Sequence, residues 1–216
     1  MGKISRGFLG GFQGQLGTAY GCFWRLMDLI KAMPRKVKRP PTEAQLPARL
    51  RMALITSFLA NLSKIIKIGF KNAAAPGQSA MNAAVSYNLN NAVTDTSPNY
   101  TIDFPELVIS KGKLAGPYLV EVVIDAPAQV KFKWQQAAAG SQDAGNATDK
   151  ATFIVFNAVK GRFVTLQGVV SRTALEYALQ IPPDFSGDIV HCYMSFVSAD
   201  GKEVSNSIYV TGIEVL

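Results

Sequence analysis

A single histidine, His191, and two cysteines, Cys22 and Cys192, are all that this sequence holds of the side chains that most often bind metals or form nucleophile–base pairs. One histidine excludes a histidine-rich metal site. Two distant cysteines without a Cys-x-x-Cys exclude a zinc ribbon and a thioredoxin-like motif, and they make no disulfide framework. They read as reduced thiols in a cytosolic setting. His191 and Cys192 are adjacent in a strand-like run, so their side chains point to opposite faces and form no catalytic pair. Asp184 with Asp188, and Asp143 with Asp149, sit in turn-forming contexts, and Ser195 and Ser198 have no base nearby in the pattern. The expectation is a protein that is not an enzyme and uses no cofactor or metal. No apolar run reaches the roughly 18–20 residues of a spanning helix. Gln13 and Gln15 interrupt the one stretch resembling an export signal, and no A-x-A-like cleavage site follows. Export through this segment is therefore not expected, and the expected location is cytoplasmic.

What is present is a globular composition, 48% hydrophobic and 17% charged over 216 residues, enough to bury a core without cross-links. The net charge of +7 is unevenly spread: residues 1–75 carry 13 Lys or Arg against 2 acids, and residues 76–216 carry 9 against 13. A basic front on a mildly acidic remainder points to an anionic partner or to an acidic patch on a neighbouring subunit. The residues expected to serve it are Arg25, Lys31, Arg35, Lys36, Lys38, Arg39, Arg49 and Arg51. Tyr20, Phe23 and Trp24 lie close enough to stack on bases. No helix-turn-helix, zinc-finger, RNP or KH signature accompanies them, so nucleic-acid binding by this segment would be sequence-independent and salt-sensitive.

The opening "RGFLGGFQGQLGTAYGC" is dense in glycine. A Walker loop requires G-x-x-x-x-G-K-[ST] and a dinucleotide fingerprint requires G-x-G-x-x-G in a βαβ unit; neither is here. G-x-x-x-G spacings occur, but they carry meaning inside a continuous apolar membrane helix, which this is not. The remaining role is backbone permissiveness. Gly10, Gly11, Gly14, Gly17 and Gly21 are expected to allow tight turns and close approach of one chain to another, as a backbone for assembly.

Further along, Thr18 to Pro34 favours a β-hairpin over a short helix from Phe23 to Met33, and "RKVKRPP" is an extended basic connector ended by Pro40 and Pro41. Thr42 to Lys71 reads as a helix opened by the capping box "TEAQ". Leu46, Leu50, Leu54, Phe58 and Leu62 recur every four residues, a stripe that is core or, less often, a partner-helix interface. Pro47 predicts a late start or a kink. A second helix is expected from Ser79 to about Ala92. From Asp103 onward short strands alternate with turns: 107–110, 118–124, 129–134, 152–157, 162–168, 174–181, 189–198 and 203–212. Val130, Phe132 and Trp134 alternate toward one face, Tyr193 lies on a long late strand, and Asp200-Gly201 marks a hairpin. The fold class is thus α+β: an N-terminal Gly-rich hairpin and helical region, then an all-β immunoglobulin- or fibronectin type III-like sandwich. The divisions expected are residues 1–41, 42–102 and 103–216.

Four blocks, "GFLGGFQGQLGTAYGCFWR", "PPTEAQLPARLRMALITSFLANLSKIIKIGFKN", "MNAAVSYNLNNAVTDTSPNYTIDFPELVISKGKL" and "PPDFSGDIVHCYMSFVSADGKEVSNSIYV", resemble successive blocks of one family. It is a family of about this length, found in Bacteroidota and known only as a domain of unknown function. The chain departs from the family pattern at Gly14-Gln15-Leu16-Gly17, where "GKVG" is usual, and at Pro47-Ala48-Arg49, where "AQR" is usual. The resemblance implies a bacterial or bacteriophage setting and supplies no catalytic residues. The leading expectation is a structural or assembly protein, a homo-oligomer or polymer in which the basic front reaches a neighbouring copy, as in a virion, appendage or filament. Nucleic-acid binding through the basic third is the second expectation, and a ligand-binding module on the sandwich loops is the third.

Overall fold

A computed structural model describes residues 2–4, 11–24, 27–34, 40–94, 99–138, 140–141 and 144–216. The chain divides into two compact units, Met1–Thr42 and Glu43–Leu216.

The first unit is a four-stranded antiparallel sheet of β1 (Gly2–Ile4), β2 (Gly14–Leu16), β3 (Ala19–Trp24) and β4 (Met27–Ala32), in the order β1-β4-β3-β2. The expected hairpin is β3–β4, with Trp24 opposite Met27 at its tip and Ala19 opposite Ala32 at its base. Gly17 and Thr18 turn β2 into β3, Gly17 at a φ of +58° that disfavours side chains. At Gly21 a methyl group would overlap the carbonyl oxygen of Phe12, and at Gly11 it would overlap the Asp28 carboxylate. At Gly21 the overlap is with backbone, so the segment around Phe12 lies directly on the sheet there and only glycine admits it.

The second unit has three layers. Helices α1 (Gln45–Ala60), α2 (Ser63–Gly69) and α3 (Ala80–Asn91) form the first. The sheet β11-β10-β7-β8 forms the second, and β5-β6-β9 the third. The strands are β5 (Tyr118–Ala126), β6 (Gln129–Gln135), β7 (Lys150–Asn157), β8 (Arg162–Ser171), β9 (Glu176–Gln180), β10 (Ile189–Val197) and β11 (Ile208–Glu214). Three strands against four, all antiparallel, make an immunoglobulin/fibronectin-like sandwich. Alternation along the central strands separates two cores. Phe153 and Val155 of β7, and Cys192, Met194 and Phe196 of β10, point between the sheets onto Val130, Phe132, Trp134 and Leu179. Ile154 and Tyr193 point the other way, onto Ile55, Leu59, Leu62, Ile66 and Phe70 of the helical layer. Residues 151–157 are consequently buried throughout, which explains why "ATFIVF" is apolar on both faces apart from Thr152. The boundary expected at 102/103 falls inside this one unit.

Several elements differ from expectation for identifiable reasons. The helix expected from Thr42 to Lys71 begins at Gln45, with Ala44 rather than Thr42 at the N-cap position. That start puts Pro47 in the first turn, where its missing N–H costs nothing. The helix then breaks after Ala60, and α2 leaves at 93° to α1. The second helix does start as read, the Ser79 hydroxyl accepting from the Asn82 N–H at 3.0 Å. The strand expected at 107–110 is an irregular segment with a bend at Ile109, held largely by side chains instead. Asn88 donates to the Val108 carbonyl and accepts from its N–H, both at 2.8 Å, and the Ser207 hydroxyl accepts from the Ile109 N–H at 2.9 Å. Of residues 203–207, expected to belong to the last strand, Glu203 and Ser205 still bond β10 and the residue after it, the Ser198 N–H donating to the Glu203 carbonyl and the Ser205 N–H to the Phe196 carbonyl, but the Ser207 N–H turns to the Ser110 carbonyl at 2.9 Å. Regular pairing with β10 therefore starts only at Ile208.

Candidate interaction surface

The four-residue repeat in α1 shows how the surface arises. Residues four apart on an α-helix advance by about 400°, so a strict i, i+4 series drifts by about 40° per step. Leu46 and Leu50 are exposed, Leu54 and Phe58 half-buried, and Leu62 buried. One apparent stripe thus winds from solvent into the core. Leu46 is 45% exposed, Leu50 49% and Met52 47%. Gln45, Ala48, Arg49, Met52, Ala53 and Thr56 line an open groove of about 580 Å³ along the flank of α1.

The first unit shows the same property. Among residues 11–24 and 27–34 Leu29 is the one large apolar side chain that is buried, while Leu16, Tyr20, Phe23, Trp24 and Met33 are 40% exposed or more. Tyr20 is paired with Gln15 on one side and Lys31 on the other, so these three share a face of the sheet. Five of the fifteen exposed large apolar residues of the described chain lie in this unit, and three more, Leu46, Leu50 and Met52, lie on α1 of the second. Those of the sandwich are scattered, and its edge strands are blunted. β8 carries a bulge beside Gly168 (φ +63°), β5 is irregular at two places, β11 pairs across a bulge, and β9 is only five residues long.

Of the basic residues singled out, Lys31 is exposed on β4 and Arg49 is exposed on α1. Arg51 is partly structural: its guanidinium donates to the Leu89 carbonyl at 3.0 Å and ties α1 to α3. Arg25, Arg35, Lys36, Lys38 and Arg39 lie outside the described residues, as does Gly10. Gly11 and Gly21 are close-approach positions, and Gly14 and Gly17 have positive φ. The division between units sharpens the charge reading. Residues 1–42 carry eight Lys or Arg against Asp28 alone, and residues 43–216 carry fourteen of each sign. All the net charge therefore belongs to the N-terminal unit, and the body is neutral. Between Glu43 and Asp95 there are five basic residues and no acid.

Elsewhere the titratable groups are built into packing. Burial lowers the His191 pKa; the ring stacks on Phe104 with centroids 4.0 Å apart, and Nδ1 meets the Tyr209 hydroxyl at 3.1 Å. Burial pushes the Cys192 thiol up to about 12 and raises the Tyr193 phenol, whose hydroxyl donates to the Phe104 carbonyl at 2.8 Å. The Cys192 shift opposes thiolate chemistry at neutral pH. Arg172 and Asp149 form a buried pair at 3.2 Å. Sequence reasoning placed Asp149 in a turn and gave Arg172 no role; a lone arginine between a strand and a turn carries no pattern. Among the described residues no group of three His, Cys, Asp or Glu side chains is arranged to hold a metal ion, and no single helix is long and apolar enough to cross a membrane.

Solved structures with some likeness include the solution structure of the fn3 domain of the human collagen alpha-1(XX) chain. It is 13% identical, covers 49% of this chain and 88% of that one, and gives a TM-score of 0.33. No curated protein matches. The strand order given above assigns the sandwich without help from so remote a likeness. Over the sequence itself, the profile of a family of unknown function (DUF6266) matches residues 11–211, across both units, and the chain belongs to that family.

Proposed function

We propose that the protein is a non-enzymatic assembly component that self-associates through exposed apolar surface carried by the N-terminal sheet in one unit and by α1 in the other. The observation that carries this reading is the concentration of exposed apolar side chains between Leu16 and Met52. A four-stranded sheet with so little buried on its own account gains stability by being covered. Because the body is neutral, attraction between oppositely charged ends is not the main term, and apolar contact is. A bacterial or bacteriophage particle, appendage or filament is the setting this reading fits. Sedimentation velocity over a wide concentration range, at low and high salt, tests it. Association that grows with concentration and survives salt is expected; a strict monomer throughout overturns it.

A second reading has its own support. Lys31 and Tyr20 share one exposed face of a unit that carries the whole net charge of +7, the pairing of cation and aromatic ring that single-stranded nucleic acid uses. Fluorescence anisotropy with labelled single-stranded DNA and RNA at two salt concentrations tests it. Tight binding at low salt that weakens steeply with added salt is expected; no binding at low salt overturns it.

A further inference from the structure

The side of α1 turned away from Ile55 and Leu59 carries Leu46, Leu50, Ala53, Ser57 and Ala60, all exposed. Their spacing of four, three, four and three residues is that of a coiled-coil seam, whose 3.5-residue period keeps a row facing a partner helix. No residue of the row is charged. The one hydroxyl, on Ser57, already donates to the Leu54 carbonyl at 2.9 Å, so it brings no unmet donor into a dry contact.

The row is also complementary to itself. Two copies laid antiparallel about Ala53 set Leu46 against Ala60 and Leu50 against Ser57, large against small at each level. Ala53 meets Ala53 at the centre, where two helices can approach closely. At a rise of about 1.5 Å per residue, the two Arg49 side chains are then about 12 Å apart along the axis. That exceeds the screening length of about 8 Å in physiological salt, and Arg51, closer to the axis, is turned to α3 where it donates to the Leu89 carbonyl, so like charges do not oppose the pairing. A parallel arrangement lacks these features: it stacks leucine on leucine at one end, leaves small residues facing small at the other, and brings both Arg49 residues to one level.

We propose that α1 pairs antiparallel with α1 of a second copy about a two-fold axis at Ala53. This rests on the self-association proposed above and specifies its contact. The pairing is isologous and closes at two copies. A seam about 24 Å long buries less than the roughly 1,000 Å² of a standing complex. It therefore forms a weak, reversible dimer unless the N-terminal sheets add to it.

Cysteine cross-linking of the full chain in a Cys22→Ser background tests the geometry. The Ala53→Cys variant is expected to form a disulfide-linked dimer by itself. Leu46→Cys and Ala60→Cys are expected to cross-link when mixed and not singly. Since Ala53 is exposed, Ala53→Arg leaves the thermal unfolding of the chain unchanged and weakens association by about tenfold or more through like charge at the axis. Cross-linking of Leu46→Cys alone shows a parallel pair and overturns the proposal. Association untouched by Ala53→Arg and without cross-links overturns it too, while the broader self-association stands. A chain monomeric at every concentration removes both.

Discussion

Replacing Asp149 by alanine isolates the largest single electrostatic commitment in the body. Arg172 is 3% exposed and Asp149 1%. The guanidinium donates to the carboxylate at 3.2 Å, to the Ala115 carbonyl at 2.7 Å and to the Gly116 carbonyl at 3.0 Å. It lies 3.8 Å from the centre of the Phe196 ring, and Gly145 has no room for a side chain beside it. Burial lowers the Arg172 pKa, and the Asp149 charge works against that shift. Removing the carboxylate strands a cation in the core. Loss of one partner of a buried pair costs about 3–5 kcal/mol. At about 2–4 °C per kcal/mol for a domain of this size, Tm falls by roughly 6–20 °C. Replacing both residues, as Asp149→Leu with Arg172→Met, removes the stranded charge and is expected to cost less than either single change. Urea and thermal unfolding followed by circular dichroism measure all three proteins. A loss below about 1 kcal/mol for Asp149→Ala, or strict additivity in the double variant, refutes the reasoning.

Other outcomes follow from the same geometry. Cys22 is partly exposed and Cys192 fully buried, so a thiol reagent is expected to titrate one thiol of the native chain quickly and the second only on unfolding. Because burial lowers the His191 pKa, the unfolded chain binds its proton more readily. Stability is then complete above about pH 6.5 and declines as pH falls through that value toward the folded pKa; His191→Phe is expected to flatten this window in unfolding measured against pH. Asp188 is also lowered, by hydrogen bonds from Lys160 and then Asn157. Its contribution is present above about pH 3.9 and lost below, and Asp188→Asn is expected to remove that second, more acidic step in the same measurements. A methyl group at Gly112 would overlap the Val204 carbonyl, so Gly112→Ala is expected to cost about 1–3 kcal/mol in urea unfolding.

Strand identity was legible wherever alternation met a turn signal. Val130, Phe132 and Trp134 point inward as read, and the strands of the sandwich fall close to the stretches expected. What escaped was any element held by side chains. Residues 107–110 have the composition of a strand, but Asn88 and Ser207 occupy the places a neighbouring strand would take, and no local pattern announces a contact between residues so far apart. The α1 stripe shows the opposite error: an apolar repeat every four residues reads as a single face, although helical geometry rotates it from solvent to core. The glycines were read through what only glycine permits, and Gly11, Gly17 and Gly21 show turns and close approaches within one chain. The pairing of Arg172 with Asp149 was invisible because their meeting depends on the whole sandwich being closed.

The doubly covered strand β7 also bears on how the protein is made. The helices ending at Asn91 are synthesised well before β7 and β10, which supply the wall they lie against. At roughly 5–20 residues per second, the hundred or so residues between α3 and the end of β10 take about 5–20 s to emerge. For that interval a greasy, cationic helical segment waits on the ribosome without its docking site, an inviting target for chaperones and for neighbouring nascent chains.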